Sequence, residues 1–490
     1  MDPLSPQPAH IYVPEGKAPR RGLRTAVIAT SAMLVVGAGA GAFAVGSYLS
    51  GGGTQPDDVL RSGAVAFAKL DLDPAANQKI AVYQLSKKFP GLLADQGADG
   101  VGDSLLGKAF ADGDLSYERD IQPWLGERAG VAVYAPAAKG KEPRFAVAVE
   151  YTDEAVMSAA LKKEQANEPD LRWSTRDGYV VITATGDPAD LVAPNGAESL
   201  AAQADYTGDV AALDGDQIAV AWADFGRIAS FALDAASAEL GGMAPAAELA
   251  QLTALQSKVA GRFAMGVHAE GDHLDLQGKM FGLEGAAWSG RTAGTNLAGT
   301  MPADSVGALS VTGLGPLLAQ QWKGVAGLPG FGDMTGQFGL KLPADFTALF
   351  GQETAAALLS SAAHSPAVAV RARGGDLARA NELLSMLTSA FGIDAPVAQK
   401  VADGFVVATD AATAKAAAAG AARLADTDSF KRAVPNAADA GFVLYANLTK
   451  ALGEELGAEA SPELKALDAV GFTATAGEDP TFLLRLTTRQ

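Results

Sequence analysis

Five short segments of this 490-residue chain recur, in the same order, in its second half. Ser62-Gly63-Ala64-Val65-Ala66-Phe67 matches Ala303-Asp304-Ser305-Val306-Gly307-Ala308 at an offset of 241. Phe89-Pro90-Gly91-Leu92 matches Leu328-Pro329-Gly330-Phe331 at 239, and the stretch from Asp120 to Glu127 matches Asp345 to Gln352 at 225. Asp177-Gly178-Tyr179-Val180-Val181 matches Asp403-Gly404-Phe405-Val406-Val407 at 226, and Trp222-Ala223-Asp224-Phe225 matches Tyr445-Ala446-Asn447-Leu448 at 223. A long-period repeat confines the fold to two copies of one plan. The matches place unit one at 57–285, a linker at 286–300 and unit two at 301–490.

Each copy alternates short apolar runs with helical patterns. In unit one, Ala64–Leu70 reads as a strand. Asp73 followed by Pro74 reads as the cap and first residue of a helix that runs to Phe89. Gly130–Tyr134 and Phe145–Val149 are strands, and Glu154–Glu164 is a helix. Arg176-Asp177-Gly178 and Glu270-Gly271-Asp272 are hairpin turns, each between two apolar segments. The expected class is α+β: an N-terminal transmembrane helix, then two homologous tandem units, each a largely antiparallel sheet with helices packed on one face.

The transmembrane expectation comes from residues 1–49. Residues 1–24 form a Pro-rich cytoplasmic tail ending in Lys17, Arg20, Arg21 and Arg24. Residues 25–49 carry no charge, and about 37 Å of helix would exceed a bilayer core of about 30 Å. Basic residues before the run and Asp57-Asp58 after it orient it as a single-pass signal anchor, N-terminus inside and the bulk of the chain extracytoplasmic. A cleavable signal peptide ending at Ala42-Phe43-Ala44 is the alternative. Residues 50–56 read as a Gly-rich tether.

Composition removes whole classes of chemistry. With no cysteine, thiolate nucleophiles, Cys-ligated zinc and iron–sulfur clusters are excluded. A net charge of −18 argues against a nucleic-acid partner.

The motifs that imitate active sites lack their partners. Gly102-Asp103-Ser104-Leu105 spells an esterase signature, but none of His268, His273 and His364 has Asp three residues before it. His268 and His273 with Glu270 and Asp272 read as solvated hairpin groups, and the acids from Asp95 to Asp114 do not fit a calcium loop. No phosphate loop occurs. No catalytic, cofactor-binding or metal-binding residue is assigned. The residues singled out are apolar: Phe89, Leu92, Leu328, Phe331, Met334 and Phe338, read as a lip over a hydrophobic ligand or an envelope protein partner.

Four features together resemble a known group: the basic lead and anchor, the phrase Val65-Ala-Phe-Ala-Lys-Leu-Asp-Leu-Asp-Pro74, the helix end Lys87-Lys88-Phe89-Pro90, and the turn Trp124-Leu125-Gly126-Glu127. They are similar to an actinobacterial membrane-anchored extracytoplasmic family of unknown function. The resemblance implies a protein of the cell envelope and no catalytic residues. The expected function is a non-enzymatic binding or interaction module there. A cell-envelope hydrolase with an unrecognised site, or a structural subunit of a membrane complex, is the alternative.

Overall fold

The computed structural model describes residues 53–72, 74–89, 117–138, 141–239, 261–282, 296–325, 339–359, 367–391, 395–455 and 461–490. Unit one contributes strands β1 (Ala64–Asp71), β2 (Leu125–Tyr134), β3 (Arg144–Tyr151), β4 (Arg172–Arg176), β5 (Tyr179–Thr183), β6 (Ala219–Asp224), β7 (Arg262–Glu270) and β8 (His273–Phe281). Unit two contributes β9 (Ser305–Thr312), β10 (Glu353–Leu359), β11 (Ala367–Arg373), β12 (Val397–Val401), β13 (Gly404–Ala408), β14 (Phe442–Asn447), β15 (Leu467–Ala474) and β16 (Thr481–Thr488).

All sixteen strands join one antiparallel sheet, in the order β12-β13-β11-β10-β9-β14-β15-β16-β8-β7-β6-β1-β2-β3-β5-β4. If each unit-two strand is replaced by the one eight places earlier, the order reads the same from both edges. The two halves meet where β8 pairs with β16.

Two expectations are corrected here. The tandem units do not hold separate sheets, because the β8–β16 ladder fuses them. Helices cover both faces, not one. On β5, Tyr179 and Val181 enter a core with Phe67, Tyr206 and Trp222, while Val180 between them packs with Met157 and Leu161 of the helix Glu154–Asn167. In unit two, Val406 enters the core with Phe430 and Tyr445, and Phe405 on the opposite face packs near Leu377 and Ala380 of the helix Leu377–Phe391. The physical reason is that the inner strands are apolar on both sides, so neither face can be left to water. Among the described residues no helix is long and apolar enough to cross a membrane. Residues 25–49, where that helix was expected, lie outside the described residues.

Two local differences have simple causes. The helix expected from Pro74 begins at Ala76 with Ala75 as its N-cap, and Asp73 lies outside the described residues. The Asp-Gly match at offset 226 is one residue out of register. Arg176 and Tyr179 close the first hairpin, whereas Val401 and Gly404 close the second. The structural offset is therefore 225, and the slip of one exchanges the two faces of the strand. At Asp177-Gly178 both φ angles are positive, 48° and 84°, as a two-residue hairpin turn requires.

The seam is held by charge and by aromatic rings. Arg485 on β16 donates from Nε and Nη2 to both oxygens of Asp275 on β8, at 2.7 and 2.6 Å. Their side chains are 18% and 9% exposed. Lys88 donates to the Thr488 hydroxyl and the Arg489 carbonyl at 2.9 and 2.8 Å. On one face a row of phenylalanines runs across the junction: Phe225, Phe263, Phe482, Phe472 and Phe442, with successive centroids 6.3, 6.0, 6.1 and 5.8 Å apart. Gly278 lies opposite Phe482, and a Cβ there would come within 2.2 Å of its ring. The glycine makes room for the row.

Removing one partner of a bidentate, largely buried pair strands the other's charge. Asp275→Ala is therefore expected to cost about 3 kcal/mol in urea unfolding, and the double change Asp275→Leu with Arg485→Met to cost much less. Equal losses in the single and double variants would contradict this reading of the seam.

Candidate functional site

At the N-terminal end of β1 lies an open cleft of about 400 Å³, bounded by the end of β2, the start of β3, a short turn at Pro188–Asp190 and the helix Phe225–Glu239. Three guanidinium groups line it, from Arg61, Arg144 and Arg227, together with Tyr134, Ser62 and Asp190.

The backbone places each of them. Arg61 and Ser62 are held before β1 by hydrogen bonds to the carbonyls of Leu191 and Glu198. Gly63, at φ 94°, then turns the chain into the strand, a conformation that favours glycine. Tyr134 pairs with Ala64, and Arg144 pairs with Tyr134, so three strand ends bring these residues together. Arg227 enters from the first turn of its helix, where its amide is capped by Asp224 at 2.9 Å.

The side chains divide into anchored and uncompensated charge. Arg61 donates to Glu198 at 3.1 Å, an exposed pair of little energetic weight. The Arg227 Nη atoms donate to the carbonyls of Ala64 and Gly63 at 3.2 and 3.1 Å. Arg144 donates from Nε to the Ala135 carbonyl at 3.3 Å and lies 5.8 Å over the Tyr134 ring. Among the described residues, neither Arg144 nor Arg227 has a carboxylate at ion-pair distance, and Asp190 has no cation there. Tyr134 donates to the Arg61 carbonyl at 2.8 Å. Burial pushes its phenol well above the usual tyrosine range, against the pull of Arg144 and Arg61, so it stays protonated.

Unit two supplies an internal comparison. Ser305 pairs with Leu359 as Ala64 pairs with Tyr134, and Leu359 pairs with Ala367 as Tyr134 pairs with Arg144. Bridges of Arg61 to Ser199 and of Pro302 to Arg423 make Pro302 the counterpart of Arg61. Lys450 matches Arg227: its amide is capped by Asn447 at 2.8 Å, and its amine reaches the Ala303 carbonyl at 3.1 Å. Unit two thus builds the same strand ends with Pro302, Leu359 and Ala367. Only the helix cation recurs.

The residues expected to form an apolar lip are not brought together here. Phe89 ends the turn after the helix Ala76–Ser86 and is half-buried. Leu92, Leu328, Phe331, Met334 and Phe338 lie outside the described residues, as do Ser104 and the acids from Asp95 to Asp114. Large exposed apolar side chains occur instead at Leu309, Leu358 and Leu444 on the unit-two sheet. His268 and His273 each place Nε2 3.8 Å from Glu270, and His273 donates from Nδ1 to Asp272 at 2.8 Å. No metal-holding group of three or more such side chains occurs among the described residues.

Residues 26–193 match the profile of a family described as "Protein of unknown function (DUF3352)". The resemblance to a domain family of unknown function is thereby borne out over that stretch. It takes in Arg61, Tyr134, Arg144 and Asp190 but not Arg227. A search of curated proteins finds no match.

The comparison of halves sets two opposite expectations for stability. Arg144→Ala should cost less than about 1 kcal/mol, the scale of an exposed cation–π contact. Arg227→Ala should cost about 2 kcal/mol, because two carbonyls lose charged donors, and Arg227→Lys should restore most of it. Urea unfolding of the three variants checks the order; a larger loss for Arg144→Ala than for Arg227→Ala would refute it.

Proposed function

We propose that this chain is a non-enzymatic binding module, exported to the extracytoplasmic side of the cell envelope, and that the unit-one cleft is where its ligand binds. The observation that carries the reading is the pair of cations, Arg61 and Arg144, that unit one adds to strand ends unit two builds without them. Such residues serve something other than the frame. The chemistry of the cleft favours holding over reaction. Its hydroxyl groups are Ser62, which has no histidine or carboxylate bonded to it among the described residues, and Tyr134, whose proton is engaged by the Arg61 carbonyl. Nucleophilic catalysis needs a base oriented on the nucleophile. Export is supported by the basic cluster Lys17 to Arg24 followed by 25 uncharged residues.

Mass spectrometry of the purified chain under native conditions, followed by extraction, tests the proposal. The expected result is one small molecule per chain in the wild type and none in the double variant Arg61→Ala, Arg144→Ala. Turnover of ester, phosphoester or glycoside probes that Ser62→Ala or Asp190→Asn abolishes would establish a hydrolase instead.

A further inference from the structure

We infer that the cleft recognises an oxyanion, the phosphate or carboxylate group of a small ligand, and that this ligand also carries a hydrogen-bond donor that Asp190 accepts. The inference rests on the reading of the cleft as a binding site and names the chemistry of its ligand.

Charge is the first argument. The chain carries 38 basic and 56 acidic residues. In so acidic a protein a cation readily finds a carboxylate, and unit two shows the pattern: Arg371 and Arg373 both bond Asp403, and Arg379 bonds Asp345. Arg144 and Arg227 line one cleft without such a partner. Two neighbouring guanidinium groups repel each other and concentrate positive potential in the concavity between them. An oxyanion relieves that repulsion and accepts the N–H groups their carbonyl bonds leave over. A guanidinium carries five donors in a fixed fork, and only one or two of them are engaged here.

The second argument is the internal comparison. Lys450 supports its carbonyl with a compact ammonium, so the frame needs only a cation at the Arg227 position. An arginine there adds planar, bidentate capacity suited to phosphate or carboxylate. The Tyr134 ring beneath Arg144 is replaced by Leu359, and Arg144 itself by Ala367. The ring restrains the guanidinium over the cleft and so reduces what binding must order. Because the Tyr134 phenol stays protonated, it adds no negative charge to oppose the ligand.

The third argument is Asp190. A carboxylate in a cationic cleft weakens a bare anion and favours one bearing a hydroxyl or ammonium group beside the charge. A cleft of about 400 Å³ has the size of a small-molecule site. Glycerol 3-phosphate carries the required pair of groups, as would a phosphoglycerol lipid headgroup.

Calorimetric titration of the full chain with glycerol 3-phosphate, inorganic phosphate and glycerol provides the test. Glycerol 3-phosphate should bind saturably, more tightly than inorganic phosphate, and glycerol should not bind. Arg144→Ala should weaken glycerol 3-phosphate at least tenfold with its melting temperature little changed. Asp190→Asn should abolish the preference over inorganic phosphate. Raising the salt concentration should weaken binding in the wild type. Glycerophosphoglycerol, the deacylated headgroup, binding more tightly than glycerol 3-phosphate would identify the source as a lipid headgroup; glycerol 3-phosphate binding more tightly would identify a free solute. Absence of saturable binding by either anion, or binding that Arg144→Ala leaves intact, would overturn the inference. A neutral molecule recovered from the cleft by extraction would overturn the oxyanion alone, whereas a ligand retained by the Arg61→Ala, Arg144→Ala variant would overturn the cleft as a binding site.

Discussion

The ladder between β8 and β16 is the constraint on which the rest of the structure depends. Each half ends in a hairpin whose last strand would otherwise present a row of unpaired amides and carbonyls. Such an edge invites pairing with another chain. Here each half satisfies the other. Because the halves share one strand order, their last strands meet as equivalent edges, in the manner of a two-fold contact between identical subunits. The pairing of Asp275 with Arg485 sets charge at the junction, and the approach of Phe482 over Gly278 lets the ring row pass from one half to the other. A single sheet follows, while each half keeps its own hydrophobic cores on that sheet.

Duplication also divides the labour. Features present in both halves hold the frame: the cap from Asp224 or Asn447, the cation at Arg227 or Lys450, and the backbone bond before the first strand, from the Ser62 amide to the Glu198 carbonyl or the Ala303 amide to the Ala422 carbonyl. Features present in one half are free of that duty. Tyr134 and Arg144 replace a leucine and an alanine without altering the ladder, since side chains at strand ends project beyond the paired backbone. An acidic protein can therefore carry an unpaired cationic cleft in one half while the other shows that the strands do not need it.

Much of this was legible in the residues, and the reasons for the rest are physical. Strand positions followed from short apolar runs, and the Asp177-Gly178 turn from the backbone such a hairpin demands. The run Gly130–Tyr134 is apolar throughout, which is the mark of a strand buried on both sides; it could have been read as calling for helices on both faces. The fused sheet was not legible, because edge pairing is set by backbone groups every strand carries and leaves no motif. The cleft was hidden for a different reason. Arg61, Tyr134, Arg144 and Arg227 are far apart in sequence and join only when β1, β2 and β3 align. The available signal lay in where the two halves differ, whereas alignment attends to where they agree. Agreement itself misled at Asp403-Gly404, where identical letters stand one residue out of structural register.

The central claim is that one half of a shared frame has become the binding half. Hydrogen-exchange mass spectrometry of the full chain, with and without glycerol 3-phosphate, tests it most directly. Slower exchange should appear around Arg61–Val65, Tyr134 and Arg144, with no change around Pro302–Val306, Leu359 and Ala367. Equal protection in both halves, or protection confined to unit two, would contradict the account.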